Sequence, residues 1–459
     1  MASSLSASPV IAAPTLNRTL GVGALTLFGV AYMLPLAVFT TYGIATETTN
    51  GHLPGAYLVT TIAMLFTAYS YANMGRAFPA AGSAYTYTQR TFGTHFGFMT
   101  GWTLLLDYLV LPLLNFLMIG IYLNAAMPAV PVWVWVIGSM VVITALNVIG
   151  IRMVAGANFA LIAIQVIFVV VFVGFGLRYV AGHGTTVSPL APFFSETAGI
   201  GTLMAGAAIL ALAFLGFDAV STLSEEAKDP TRSIPKAIIL TTIVGGLLFI
   251  VTAYVATLVF PDFANFTDAD SAAKDVMLRA GGGALFTFFA AAYVAGSFAS
   301  GITSQASVAR ILFAMGRDGQ LPRSVFALIH PRLRTPYLSV IIVGVVGALG
   351  AILLPLDTVA SVISFGALVA FSCVNASVIL HYFVRGKERT AAGTVKYLVA
   401  PAIGLLLTVW LWTSLSETTF VAGFIWVAVG VVILGVVTHG FTRKPPVMEF
   451  KDADTAQID

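Results

Sequence analysis

The chain alternates between long apolar segments and short polar loops from residue 21 to residue 440. A helix of about 20 apolar residues spans a bilayer. Twelve segments come close to that length or exceed it, at 21–46, 54–76, 96–127, 132–150, 155–178, 200–224, 237–260, 284–315, 337–355, 358–383, 397–415 and 419–440. Their length and irregular pattern favour helices over barrel strands. The sequence therefore predicts an all-α polytopic membrane protein with twelve transmembrane helices.

Segment one contains residues that disfavour a continuous helix. Pro35 lies in its middle, and a proline inside a helix removes a hydrogen bond and costs about 3 kcal/mol or more. We therefore predict a break between Met33 and Gly43. Such irregular backbone is tolerated at membrane depth where it is buried in protein or lines a cavity; a simple proline kink is the alternative. The predicted break contains Phe39, Thr40 and Thr41.

Segment six changes character within a few turns. An apolar run at 207–214 is followed by Gly216 and Asp218. Glycine weakens a helix by roughly 0.5–1 kcal/mol, and a carboxylate at membrane depth costs roughly 2.5–3.5 kcal/mol and marks a functional site by default. We predict a second broken helix that lines a substrate path. The alternative is a kinked helix whose Asp218 pairs with a neighbouring helix.

Segments one and six hold the first position in two successive sets of five segments. Interrupted helices at matching positions point to the binding site of an inverted-repeat transporter, so the spacing predicts a five-plus-five inverted repeat. The expected organisation is a cytoplasmic tail at 1–18, a ten-helix transport core at 19–383, helices 11 and 12 at 384–441 and a cytoplasmic tail at 442–459.

Charge places this bundle in a membrane and orients it. Only 9% of the 459 residues are charged, against about 25% in soluble domains. With a cytoplasmic N-terminus, all 22 Lys and Arg residues except Arg178, Lys274 and Arg279 fall inside. The positive-inside rule therefore predicts a plasma-membrane protein with both termini cytoplasmic. The net charge of +3 reflects this topology and gives no indication of nucleic-acid binding.

Few polar residues lie within the predicted helices. Asp107 in segment three is a second carboxylate at membrane depth; it would bind a cationic group or a proton, or hydrogen-bond the broken backbone of segment one. Asn147, Asn158 and Gln165 are typical of interhelical hydrogen bonds. The six histidines are scattered, and no GxSxG, HExxH or P-loop string occurs. The sequence therefore predicts neither an enzyme nor a metal or cofactor site.

The loop at 261–283 is expected outside. It carries four aspartates, among them Asp268 and Asp270, against two basic residues. An acidic mouth would raise the local concentration of cations, and an ordinary solvated loop is the alternative.

Three strings extend the interpretation to a family. FLGFDAVSTLSEEAKDPTRSIPKAI, RAFPAAGSAYTYTQ and ARILFAMGRDGQLP resemble the amino acid, polyamine and organocation (APC) superfamily over nearly the whole chain. Within it, AYMLPLAVFTTYGIAT, GFMTGWTLLLDYLVLPLLN and ISFGALVAFSCVNASVI are most similar to bacterial putrescine importers. The resemblance implies a LeuT-type five-plus-five inverted repeat, substrate bound between broken helices 1 and 6, and uptake driven by an ion gradient, usually of protons.

The same resemblance implies site residues. The helix breaks fall at 34–41 and 214–217, and Asp218 matches an acidic position linked to substrate or proton sensing. Glu225 and Glu226 match the cytoplasmic end of helix 6, where a gate or helix-capping role is implied. The candidate substrate contacts are Pro35, Phe39, Thr40, Thr41, Asp107, Phe214, Gly216, Phe217 and Asp218. The candidates for proton coupling or gating are Asp107, Asp218, Glu225 and Glu226.

The sequence as a whole predicts a secondary active transporter that imports a small amine, putrescine or a related polyamine, by proton symport and alternating access. Sodium is the alternative coupling ion. An amino acid permease of the same fold is the alternative function, because Thr40 stands where putrescine importers carry an aspartate. Thr40 and Thr41, with helix-terminus dipoles, would then hold a zwitterion. Membrane lipid is the expected surrounding, and no cofactor is expected.

Overall fold

The computed structural model describes residues 19–79, 83–149, 154–195, 199–317, 322–333 and 335–445. The tail predicted at 1–18 and most of the tail predicted at 442–459 lie outside these ranges. The α-helices are α1 (Val22–Tyr32), α2 (Tyr42–Thr48), α3 (Leu53–Ala77), α4 (Ser83–Phe92), α5 (Thr94–Ala126), α6 (Val132–Ile149), α7 (Val154–His183), α8 (Ile200–Leu210), α9 (Pro230–Val259), α10 (Ala273–Arg317), α11 (Arg323–Phe326), α12 (Tyr337–Leu353), α13 (Leu356–Val378), α14 (Ala391–Thr394), α15 (Ala400–Thr413) and α16 (Glu417–Val437).

Tighter and wider turns interrupt or extend these helices. The 3₁₀ turns are Ala37–Phe39, Ala211–Phe214, Ala219–Glu225 and Phe263–Asn265, and the π turns are Ile379–Arg385 and Val395–Val399. Within α10, Gly282 has a φ of 70°, which kinks the helix just before the start predicted for segment eight.

The described chain contains eleven helical stretches that are long and apolar enough to cross a bilayer. The ninth predicted segment corresponds to α12, a shorter apolar helix of 17 residues. Each of the twelve predicted segments therefore coincides with a helix, and the prediction of an all-α polytopic fold is confirmed. Two of the spans, Val22–Phe39 and Ile200–Ser224, include the predicted breaks.

The connections between the spans gather at two ends of the bundle, because Leu20 before α1 pairs with Ala227 after segment six, and the loop between α9 and α10 shares a cavity with the start of α13. We call one the α4 end, because it carries α4 and the start of α1. The other, which we call the opposite end, carries the loop between α9 and α10 and the start of α13.

Small residues let α9 pack tightly against its neighbours. A Cβ added to Gly246 would lie 2.5 Å from the Thr61 side chain of α3, and one added to Gly245 would lie 2.5 Å from Met33. Small residues at such interfaces allow helix backbones to approach closely in a membrane. Consequently α9 is packed against both α3 and the break in segment one.

Buried amides join the helices on the other side of the bundle. The Gln305 side chain of α10 donates to Thr144 Oγ1 (2.8 Å) and to the Val340 carbonyl (3.0 Å), and it accepts from Asn147 Nδ2 (2.9 Å). The predicted structural role of Asn147 therefore agrees with its contacts. The side chain of Asn158 lies outside the described residues.

Two tryptophans fasten α16 to α5. Trp102 Nε1 donates to the Trp426 carbonyl and Trp426 Nε1 donates to the Trp102 carbonyl, both at 2.8 Å. Their rings stack with centroids 4.6 Å apart. The last helix is thus bound to the helix that carries Asp107.

Candidate functional site

The break in segment one lies where proline predicts it. Helix α1 ends at Tyr32, Leu34 has a φ of 55°, and Pro35 follows without an amide hydrogen to donate. Regular helix resumes at Tyr42. A side chain from α7 compensates for part of the lost backbone bonding, because the Leu36 amide donates to Gln165 Oε1 at 3.4 Å.

The break in segment six is organised by Gly216 and Asp218. Gly216 has a φ of 130°, which side-chain-bearing residues rarely adopt. Its amide donates to Asp218 Oδ1 at 3.1 Å. The chain then continues as the 3₁₀ turn Ala219–Glu225, in which Ser221 Oγ donates to the Asp218 carbonyl at 2.6 Å. Asp218 therefore makes hydrogen bonds within its own segment, and its side chain also borders the neighbouring cavity.

The two breaks touch each other. A Cβ added to Gly216 would lie 2.8 Å from the Met33 amide nitrogen and 3.0 Å from the Tyr32 ring. Only a residue without a side chain permits this approach. The two interrupted segments therefore meet at Gly216.

A cavity of about 40 Å³ lies beside this contact, enough for roughly three water molecules. Asp107 and Asp218 are both half-buried and face it. Among the described residues, no lysine or arginine lines the cavity, so none of them supplies a counter-cation to the two carboxylates there. The lining residues are Tyr32, Ser83, Leu104, Asp107, Tyr108, Leu215, Gly216, Asp218, Ala219 and Thr222.

Asp107 does not stabilise the broken backbone as the alternative proposed. Within the described part of the chain, no hydrogen bond joins its carboxylate to segment one. Its carboxylate borders the cavity from α5, whereas Asp218 borders it from the break in segment six. The two predicted carboxylates are thus brought to one site from helices far apart in sequence.

Phe39 and Thr40 lie away from the cavity, in a buried aromatic cluster. The Phe39 ring packs edge-on against Phe172 (5.4 Å) and Phe289 (5.2 Å). The Phe39 carbonyl accepts from the Tyr122 hydroxyl at 2.6 Å, and the Thr40 hydroxyl bonds the Tyr293 hydroxyl at 2.6 Å. Tyr122 lies 15 residues beyond Asp107 on α5, or about 22 Å along the helix. Phe39 and Thr40 therefore take part in helix packing and not in the cavity wall.

The remaining predicted contacts are also absent from the cavity wall. Pro35 and Thr41 are buried in the break of segment one. Phe214 packs edge-on against Phe249 at 5.5 Å. Phe217 packs against the ring of Phe371 at 5.1 Å.

Glu225 and Glu226 lie at the α4 end, where segment six meets the start of segment one. The Glu226 carbonyl accepts from the Leu20 amide at 3.0 Å, and the Lys228 amide donates to the Leu20 carbonyl at 3.0 Å. These bonds form a short parallel bridge between Leu20 and Ala227. The side chain of Glu225 lies outside the described residues. The predicted gate position is therefore a backbone junction between the two broken segments.

A second cavity of about 230 Å³ opens at the opposite end, and Asp268 and Asp270 line it. The pKa of Asp270 is raised to about 6, mainly by burial and to a smaller extent by the negative charges of Asp268, Asp357 and Glu47. The acidic loop predicted from the sequence thus faces a cavity, separate from the Asp107–Asp218 cavity.

Sequence reasoning did not select several residues of the cavity wall. Tyr32, Ser83 and Tyr108 line it together with Asp107 and Asp218. Ser83 belongs to the RAFPAAGSAYTYTQ string, and Tyr108 follows Asp107 directly. Their positions within or next to the motifs shared with the superfamily could have pointed to them. Hydroxyl groups are too common in apolar helices, however, for these residues to be selected from the sequence alone.

The comparison with protein families decides the class of this molecule. The family model for amino acid permeases matches residues 24–437. The chain belongs to the amino acid permease family. It is therefore a multi-pass membrane transporter rather than an enzyme.

Relatives with known names share most of this permease's length. It is 41% identical over 441 residues to the low-affinity putrescine importer PlaP of Escherichia coli (strain K12), with 95% of this chain and 97% of that protein covered. It is 30% identical to the branched-chain amino acid permease BcaP of Bacillus subtilis (strain 168), with 91% and 92% covered. Cationic amino acid transporter 4 of Mus musculus is 30% identical, with 80% and 60% covered.

Proposed function

We propose that this permease imports a small organic cation, putrescine or a closely related amine, across the bacterial inner membrane by symport with protons. The observation that carries the proposal is the shared cavity of Asp107 and Asp218, whose wall holds no basic side chain. Similarity to a putrescine importer over 95% of the chain supports the same class of substrate.

The chemistry follows from the cost of charge at membrane depth. An ionised carboxylate is poorly tolerated there without a partner, and a substrate ammonium supplies one through charge-assisted hydrogen bonds. Symport requires the ammonium and the proton to be bound at the same time, and the cavity offers two carboxylates for them. One of Asp107 and Asp218 pairs with the ammonium while the other holds the proton, so both charges are neutralised and both cargoes move inward together.

The two ends of the bundle receive opposite roles in this proposal. Basic residues such as Arg76, Arg90 and Lys228 lie at the α4 end, whereas Arg178, Lys274 and Arg279 lie at the opposite end. The positive-inside rule then assigns the α4 end to the cytoplasm. The acidic cavity at Asp268 and Asp270 faces the outside, where it raises the local concentration of cations.

The test is uptake of labelled putrescine into proteoliposomes, with and without an inward proton gradient. We expect accumulation that depends on the gradient, and loss of saturable uptake in Asp218→Asn, because the amide carries no charge to pair with an ammonium. Asp262→Asn, at an exposed loop carboxylate, is the matched control and should transport as the unmodified protein does. Full transport by Asp218→Asn would refute the mechanism.

Amino acid transport is the second candidate, favoured by the 30% identity to BcaP. The threonines proposed to hold a zwitterion do not support it, because Thr40 is bonded to Tyr293 and neither Thr40 nor Thr41 lines the cavity. Competition decides between the two: an excess of unlabelled amino acid should leave putrescine uptake unchanged. Inhibition by amino acids and not by diamines would favour the second candidate.

A further inference from the structure

Hydroxyl groups without partners gather around Asp218. Within the described residues, six buried hydroxyl groups have no hydrogen-bond partner. Three of these belong to Tyr71, Ser83 and Tyr87, and they come from α3 and the start and middle of α4. Buried polar groups are nearly always hydrogen-bonded, so three exceptions on the two helices that pack beside the break in segment six require an explanation.

Ring packing fixes these hydroxyls beside the break in segment six. The Tyr71 ring packs edge-on against Phe217, the residue before Asp218, at 5.5 Å, and against Tyr87 at 5.9 Å. Both tyrosines are fully buried. The Tyr71 hydroxyl lies next to Ser83 and the Tyr87 hydroxyl next to Ser221, in neither case with the geometry of a full hydrogen bond. Ser83 lines the same cavity as Asp218.

The arrangement matches the hydrogen-bonding needs of a primary ammonium group. Such a group donates three N–H bonds and accepts none. One carboxylate balances its charge, and hydroxyl oxygens accept the other N–H groups without adding negative charge. Neutral hydroxyls therefore do not increase the repulsion between Asp107 and Asp218, which line the same cavity.

We propose that Tyr71, Tyr87 and Ser83 complete, around Asp218, a binding site that selects primary over N-alkylated amines. This inference rests on the proposed function and specifies the class of amine. Each N-methyl group replaces one N–H donor with a carbon that cannot donate. The site therefore loses one hydrogen bond per methyl group.

The test compares methylated diamines as inhibitors of labelled putrescine uptake in proteoliposomes. Putrescine, N,N′-dimethylputrescine and N,N,N′,N′-tetramethylputrescine form a series in which both ends change equally. A hydrogen bond to a charged group is worth on the order of tenfold in affinity. We expect the half-inhibiting concentration to rise about tenfold with each step of methylation.

The variants Tyr71→Phe and Tyr87→Phe remove one hydroxyl each and keep the ring. Because neither hydroxyl makes a full hydrogen bond within the protein, we expect its loss to change the stability of the fold little. We expect each variant to raise the half-saturating putrescine concentration about tenfold and to reduce the difference between putrescine and its N,N′-dimethyl derivative. Tyr57→Phe is the matched control: Tyr57 is equally buried and unpartnered on the same helix, about 21 Å from Tyr71 along its axis.

The outcomes separate this inference from the function on which it rests. If the unmodified protein takes up putrescine but Tyr71→Phe and Tyr87→Phe keep its half-saturating concentration and its discrimination against methylation, the inference is overturned and the proposed function stands. A lower maximal rate with unchanged selectivity would overturn it as well. If the unmodified protein takes up no diamine, both are overturned.

Discussion

Replacement of Gly216 by alanine is the sharpest test of how the two broken segments meet. Gly216 has a φ of 130° and lies against segment one. Alanine would have to adopt a backbone conformation that residues with a Cβ rarely take. It would also place a methyl group against backbone atoms that cannot rotate away.

Both effects lower the stability of the folded protein. A residue held in a sparsely populated backbone region costs about 1–3 kcal/mol. The new Cβ would lie 2.8 Å from the Met33 amide nitrogen, and overpacking of this kind typically costs about 1–3 kcal/mol. We therefore expect Gly216→Ala to lower the free energy of unfolding by about 2–6 kcal/mol and to separate the two breaks.

Thermal unfolding in detergent, followed by tryptophan fluorescence, measures this loss. Gly201→Ala is the control, because Gly201 is in α8 of the same segment and an added Cβ there meets no atom within 4 Å. Alanine stabilises a helix by roughly 0.5–1 kcal/mol relative to glycine, so the control should melt at the same temperature or slightly higher. Equal melting of Gly216→Ala and Gly201→Ala would refute the close contact.

Two further predictions concern stability. Trp426→Phe removes one indole hydrogen bond to α5 and should lower the free energy of unfolding by about 1 kcal/mol. The control Trp410→Phe, at an exposed ring, should not lower it. Equal melting temperatures of the two variants would contradict the stabilising role of the Trp102–Trp426 hydrogen bonds. The pKa of Asp270 is raised to about 6, so its carboxyl group keeps its proton to a higher pH in the folded protein than in the unfolded chain. Asp270 therefore destabilises the fold increasingly as the pH rises from about 4 to 6. Asp270→Asn should therefore melt higher than the unmodified protein at neutral pH and alike near pH 4, as a pH series of melting curves would reveal.

The elements that local chemistry determines could be predicted from the sequence. Pro35 cannot donate a backbone hydrogen bond and Gly216 has no side chain, so each marks its own break. The twelve helices follow from apolar length alone. Asp107 and Asp218 were recognised because carboxylates are rare in apolar helices, and both line the cavity.

The direction in which each residue of a break points could not be predicted. Phe39 and Thr40 lie beyond the turn at Leu34, whose φ of 55° redirects the chain toward α5 and α10. The partner of Thr40 is Tyr293, 253 positions away in sequence. A contact over that separation depends on the packing of whole helices, and no local pattern in segment one encodes it.

The bridge between Leu20 and Ala227 has a mechanical consequence. Helix α1 is tied to segment six at its beginning through this bridge and at its end where Met33 meets Gly216. Between them, Gly29 leaves no space between α1 and the Val220 side chain, which is 2.7 Å from its added Cβ. With contacts at three points, α1 cannot move independently of segment six. While these contacts persist, α1 and the second half of segment six move as one rigid body, and the carboxylate of Asp218 moves with them.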